Sequence, residues 1–136
     1  MKVSNFGPRA VALAVMMSGM LGGNALALDA GDAAAGAKVF KKCQACHSAV
    51  AADGNKIGPN LHGLVGRKIA TAEGFNYSEP MKAKGAEGGV WDEATLEQYL
   101  RDPKAFVPKN KMAFAGLKKD SDLANVIAYL KEASAQ

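Results

Sequence analysis

Cys43-Gln44-Ala45-Cys46-His47 is the stretch on which the reading of the whole chain turns. Two thiols stand three positions apart and a histidine follows the second at once, which is the spelling of covalent haem attachment. The chemistry sets the spacing: each thiol adds to one vinyl group of a haem, and the adjoining imidazole of His47 then lies over the ring as an iron ligand. The chain holds two cysteines and two histidines in all, so it cannot build a wider disulfide framework or a four-cysteine metal site. A zinc site would need two further ligands at short spacing, and the other histidine, His62, stands alone. A redox dithiol or, in an exported protein, a simple disulfide remains the alternative. The trailing His47 favours haem.

Upstream, the chain opens with Lys2 and Arg9, continues as an apolar run from Ala10 to Leu21 broken only by Ser18 and Gly19, and reaches small residues at Ala25-Leu26-Ala27. This is the three-part layout of a secretory signal peptide, residues 1–27, with cleavage after Ala27. A retained membrane anchor is the alternative, but the unbroken apolar core is shorter than a spanning helix needs. Export agrees with the haem reading, since thioether attachment belongs outside the cytosol. Residues 28–136 then form one small domain. The full chain of 136 residues carries a formal +4 and a pI near 9.1; without Lys2 and Arg9 the charge is about +2. Such a domain is only mildly basic, so its electrostatics depend on where the lysines lie.

Asp32 is a suitable N-cap for a helix running to Lys42, with Val39 and Phe40 as its apolar face and Lys41 and Lys42 at the negative end of its dipole. Gly36 either weakens that helix or permits a close crossing with another. Ser48 to Thr71 has no sustained periodicity and is punctuated by Gly54, Gly58, Pro59, Gly63 and Gly66, so it reads as a long loop. Loops of that length need something to organise them, and a flat apolar macrocycle does so. Ser78-Glu79-Pro80 opens a short helical turn ending near Gly85, and Ala86 to Val90 is a connector. Asp92 caps a clearer helix with Leu96, Tyr99 and Leu100 on one face, stopped by Pro103. Ala105 to Lys119 reads as loop. A last helix starts near Asp120 or Ser121, with Leu123, Val126, Ile127 and Leu130 down one face. No stretch reads as a strand. The fold class is therefore all-α, with small helices and long loops around one covalently bound haem that supplies much of the core.

The second iron ligand decides what such a site does. Beyond the leader the methionines are Met81 and Met112. Met81 follows Pro80 in a helical turn, where a packing role is expected. Met112 lies in a loop among Lys109, Asn110, Lys111 and Phe114, an unusual setting for a core methionine. Its thioether would close the coordination sphere and raise the reduction potential. His62 is the rival ligand.

Gly36, Phe40, the Cys43 to His47 stretch, the run from Gly58 to Arg67, Gly74-Phe75-Asn76-Tyr77, Trp91, Tyr99-Leu100, Pro103, Lys111-Met112, Phe114 and Ile127-Ala128-Tyr129-Leu130 together resemble a class I cytochrome c. The likeness is greatest to bacterial cytochrome c2 and mitochondrial cytochrome c, and it covers the whole mature chain. With the secretory leader it implies a bacterial periplasmic relative with the cytochrome c fold and one haem c. By that resemblance the Pro59 carbonyl would accept a hydrogen bond from His47, and Arg67, Tyr77 and Trp91 would hold the haem propionates. Tyr99 would bond near the sulfur of Met112, and Leu61 and Phe114 would pack against the haem. Gly36, Phe40 and Tyr129 would form the crossing of the first and last helices. Asn110 stands where the family usually has a threonine, which leaves its propionate bond open. The connector from Ala86 to Val90 is longer than in the mitochondrial proteins. Ala37, Val65 and Ala105 replace bulkier or charged residues, Ala105 removing a lysine from the usual docking face.

The resemblance therefore implies a monomeric single-electron carrier rather than an enzyme, serving a respiratory or photosynthetic chain without binding nucleic acid or inserting stably in a membrane. Its partners would be membrane redox complexes or periplasmic dehydrogenases with acidic docking faces. Lys41, Lys42, Lys56, Lys104, Lys109, Lys111, Lys118 and Lys119 fall in segments that border the haem. Asp29, Asp32, Glu73, Glu79, Asp92, Glu93 and Glu132 are expected to lie mostly away from it. A haem enzyme or gas sensor of peroxidase type is the alternative, since it needs an open iron position. The dedicated electron acceptor of one periplasmic dehydrogenase is another.

Overall fold

Asp32 begins the first helix by accepting the Ala35 N–H at 2.7 Å, and the helix α1 runs over Ala33–Phe40. The structure, a computed structural model, describes residues 30–136; the leader read over residues 1–27 and Asp29 lie outside the described residues. At the other end of the chain a long helix spans Asp120–Ser134 and crosses α1. The crossing is close because of Gly36: a Cβ there would stand 1.9 Å from the Asn125 carbonyl oxygen. Asn125 also accepts the Asp32 N–H at 2.8 Å, and Phe40 packs on Tyr129 with ring centroids 4.9 Å apart. Phe40, Leu123 and Val126 are almost wholly buried in this contact, contributing roughly 1.5–3 kcal/mol each before entropy.

Between the crossed helices lie three more. Helix α2 spans Glu79–Ala86, with Pro80 in its first turn, and α3 spans Glu93–Arg101, with Asp92 accepting the Thr95 N–H. Pro103 ends α3 as expected but also opens a further turn, α4, over Pro103–Phe106. The long C-terminal helix is thus α5. The first two residues of the expected loop, Ala105 and Phe106, are therefore helical. The physical reason is local: a residue before proline is pushed to extended backbone, and proline is preorganised for the first position of a helix. Asp102, with φ −149°, is both the end of α3 and the cap of α4, taking the Ala105 N–H at 3.1 Å.

The long loop is held by backbone pairing that its sequence does not announce. The Gly66 N–H donates to the Trp91 carbonyl, the Trp91 N–H to Arg67, and the Ile69 N–H to Gly89. This stitches the loop to the Ala86–Val90 connector around a single antiparallel bridge, Lys68 to Val90. Among the described residues there is no strand, and no helix is long and apolar enough to cross a membrane. Within the loop one short 3-10 turn forms at Ala51–Asp53. Trp91, Tyr99 and Phe106 cluster with centroids 5.0 to 6.4 Å apart, and Trp91 and Tyr99 of this cluster line the space the helices enclose.

Candidate cofactor site

The helices and loops surround a cavity of about 290 Å³. Its lining includes Cys43, Cys46, His47 and Met112 together, so residues far apart in sequence meet on one apolar space. Cys43 and Cys46 follow directly on α1: the Cys43 N–H bonds the Phe40 carbonyl and the His47 N–H bonds Cys43, a helical turn that presents both thiols and the imidazole inward. Burial pushes the Cys43 thiol up, opposed by Lys42.

His47 Nδ1 donates to the Pro59 carbonyl oxygen at 2.8 Å, which leaves Nε2 with the lone pair a metal needs. Burial holds the imidazole below its ordinary range, with the Pro59 bond opposing, so the ring is neutral at pH 7 and ready to ligate. Gly58 makes the fit possible, since a Cβ there would come within 2.4 Å of His47 Cε1. Asn60 fixes the same segment: its Nδ2 donates to the Val50 and Gly54 carbonyls and its Oδ1 accepts from the His62 N–H. Neither Gly58 nor Asn60 announces this role by residue type alone.

Met112 also lines the cavity, and the Tyr99 hydroxyl donates to its sulfur at 3.7 Å. Tyr99 is buried, which pushes its phenol up to about 12 and keeps the proton available as a donor. Met81 is buried and lies on the same cavity wall, so both methionines border the space; Tyr99 marks out Met112. His62 is half-buried and is not part of the lining.

Arg67 lines the cavity with a half-buried guanidinium that spends two bonds on carbonyls, His62 at 3.1 Å and Asn60 at 3.0 Å. Burial pushes its pKa down, opposed by Tyr77, and among the described residues no carboxylate pairs with it. A partly desolvated cation without an internal counter-charge suits the acidic edge of a ligand. Tyr77 accepts the Ala72 N–H at 3.1 Å, which leaves its own proton free for such a ligand, and Trp91 lies on the same wall. Asn110 differs from the other residues expected at the propionates. Its Nδ2 donates to the Pro103 and Val107 carbonyls, both at 2.8 Å, so its two donor hydrogens are committed inside the protein. Leu61 and Phe114, the residues expected to pack against the haem, also line the cavity.

Two thiols, one free imidazole nitrogen, a thioether and a half-buried cation without a carboxylate partner among the described residues, all around an apolar space, are the donor set of a covalently held haem, and the residues fit that group. A helical shell without strands around such a site defines a class I c-type cytochrome. The chain belongs to the cytochrome c family, whose profile matches residues 33–134. It is 52% identical over 106 residues to cytochrome c-554 of Methylosinus trichosporium, covering 78% of each chain. To cytochrome c2 of Afifella marina it is 48% identical over 98 residues, covering 72% of this chain and 79% of the other. Among solved structures it is similar to cytochrome cH from Methylobacterium extorquens, with a TM-score of 0.69, 44% identity, and coverage of 75% of this chain and 99% of that one. The family binds one haem c through its Cys-x-x-Cys pair, here Cys43 and Cys46, and its members carry electrons.

Proposed function

We propose that this protein is a periplasmic single-electron shuttle whose iron keeps two protein ligands, His47 and Met112, and which docks transiently on acidic partners. Haem, bound through Cys43 and Cys46, supplies a one-electron iron couple. The observation that carries the reading is that His47 and Met112 line one cavity and each is oriented by a second residue, Pro59 and Tyr99. A site with both ligand positions filled from the protein has no place for a substrate, which favours a carrier over a peroxidase-like enzyme or gas sensor. The Tyr99 hydroxyl holds the sulfur, the Pro59 carbonyl holds the imidazole, and Arg67 and Tyr77 face the acidic edge of the bound group. The apolar walls exclude water, so little has to reorganise when charge changes.

The proposed docking face is the mouth of this cavity. Lys42 and Lys111 line it, beside Ile57, which is 80% exposed. Lys41, Lys56, Lys104, Lys109, Lys118 and Lys119 are exposed as well. The separation of charge is less clean than the sequence suggests: Lys42 pairs with Asp122 at 3.5 Å, and the Glu79 carboxyl is held down mainly by its hydrogen bond to Lys82 and to a lesser degree by the charge of Lys111. A lysine-bordered mouth with an apolar centre suits fast, weak encounter with an acidic surface. Export rests on the composition of residues 1–27. Intact mass of the protein recovered from the periplasm tests it: a chain beginning near Leu28 plus one haem is expected, and haem that washes out in acidic organic solvent would contradict the reading.

A further inference from the structure

The loop that brings Met112 to the cavity starts with a residue in an unfavoured conformation. Lys109 has φ 61°, the left-handed region that side chains with a Cβ avoid. Directly after it, Asn110 closes the turn with its main-chain N–H on the Val107 carbonyl at 3.2 Å. The Asn110 side chain then makes three bonds. Its Nδ2 reaches the Pro103 and Val107 carbonyls, and its Oδ1 accepts the Met112 N–H at 2.8 Å. Pro103 and Val107 are both fully buried, so one end of the carboxamide is fixed to α4 and the residue that follows it, while the other end holds the backbone of Met112.

From this geometry we infer that Asn110 is the positioning residue for the methionine ligand, holding the Met112 backbone in place against the tendency of the Lys109 turn to relax. The inference rests on the reading of Met112 as iron ligand. It also separates Asn110 from Arg67 and Tyr77: the latter present free polar groups to the bound molecule, whereas the amide hydrogens of Asn110 are spent on the loop. The strain at Lys109 gives the loop a bias toward opening, and the Asn110 carboxamide opposes it. Ligand exchange at the iron is then governed by a side chain that need not touch the haem.

The test uses the oxidised holoprotein and its affinity for added imidazole, which competes with the sulfur and rises with the population of open loop. Asn110→Asp keeps the acceptor but turns both donors into repulsion, and Asn110→Ala removes all three bonds. Either should raise imidazole affinity by about tenfold or more, and speed hydrogen exchange at the Met112 amide by a similar factor, beyond any change in global denaturant stability. Asn110→Thr, which keeps one donor and one acceptor, should give about a threefold rise and serves if the other two fail to accumulate. Lys109→Gly should lower the affinity about fivefold, while Lys109→Gln, which removes the charge but keeps the Cβ, should not. Imidazole affinity and amide exchange within about twofold of the wild type in the Asn110 variants would overturn the inference. If the wild type itself lacked the sulfur-to-iron charge-transfer band, the Met112 reading would fail and this inference with it. A wild type with that band and unaffected Asn110 variants would sink this inference alone.

Discussion

The Tyr99 hydroxyl donates to the Met112 sulfur across 3.7 Å, joining the last turn of α3 to the loop that follows α4. With Met112 as the proposed iron ligand, a donor on the sulfur would draw electron density from it and disfavour ferric iron, so the pair should tune the potential as well as hold the loop. Tyr99→Phe keeps the ring in the Trp91 and Phe106 cluster and removes only the donor. The reduction potential should fall by up to about 40 mV, the one-electron equivalent of a hydrogen bond worth about 1 kcal/mol. Protein-film voltammetry measures this; an unchanged or raised potential would show that the contact has no influence on the iron.

Gly36 and Gly58 are both sites of close approach, but against different partners. Gly36→Ala would drive a Cβ into the Asn125 backbone and should lower stability by about 1–3 kcal/mol or more while leaving the spectrum of the folded holoprotein unchanged. Gly58→Ala would press on the His47 ring, so stability and spectrum should shift together. Thermal melts paired with optical spectra separate the two, and a Gly58 variant with wild-type spectrum would mean that the ring can yield without losing its orientation.

The α3 cap predicts a response to acid. Asp92 lies below the usual carboxylate range because it accepts the Thr95 N–H. A carboxylate lowered in the folded state adds stability above its unfolded pKa of about 4, and that stability is lost as pH falls through the folded value. Asp92→Ala should cost about 1 kcal/mol at neutral pH, and the gap between variant and wild type should narrow below about pH 4. Denaturant melts at pH 7 and below pH 4 check the sign; a gap that widens in acid would refute it.

Docking through lysines predicts that electron transfer with an acidic partner slows as salt rises, since screening acts over about 8 Å at physiological strength. Neutralising Lys42 or Lys111 by glutamine should slow the reaction more than neutralising Lys131, which pairs with Glu93 on α3 and lies outside the cavity lining. Stopped-flow rates that are flat with salt, or equal losses at all three, would point to an apolar contact or another face.

Much of this architecture is legible in the sequence because short-range chemistry writes it there. Cys43, Cys46 and His47 stand out because covalent haem attachment dictates their types and spacing, Asp32 and Asp92 through capping, and Leu123 to Leu130 through helical period. α4 escapes because a single turn has no periodicity, and Pro103 read as a stop is equally a start. The pairing of Gly66, Arg67 and Ile69 with Gly89 and Trp91 escapes because backbone bonds leave no mark on residue type. Asn110 is legible as part of the site through family resemblance, but its partners Pro103, Val107 and Met112 are not. A carboxamide serves a propionate or a carbonyl equally well, and the choice depends on which of them the fold brings within its reach. The charge pattern is legible in outline, while the pairing of Lys42 with Asp122 depends on how α5 lies across α1.

In the proposed site Met112, and not Met81 or His62, completes the iron coordination, and the carrier function depends on it. The most direct measurement is the sulfur-to-iron charge-transfer band of the oxidised holoprotein in Met112→Ala and Met81→Ala. Loss of the band in the Met112 variant and its retention in the Met81 variant is the predicted result, and a band that survives in Met112→Ala would contradict the account.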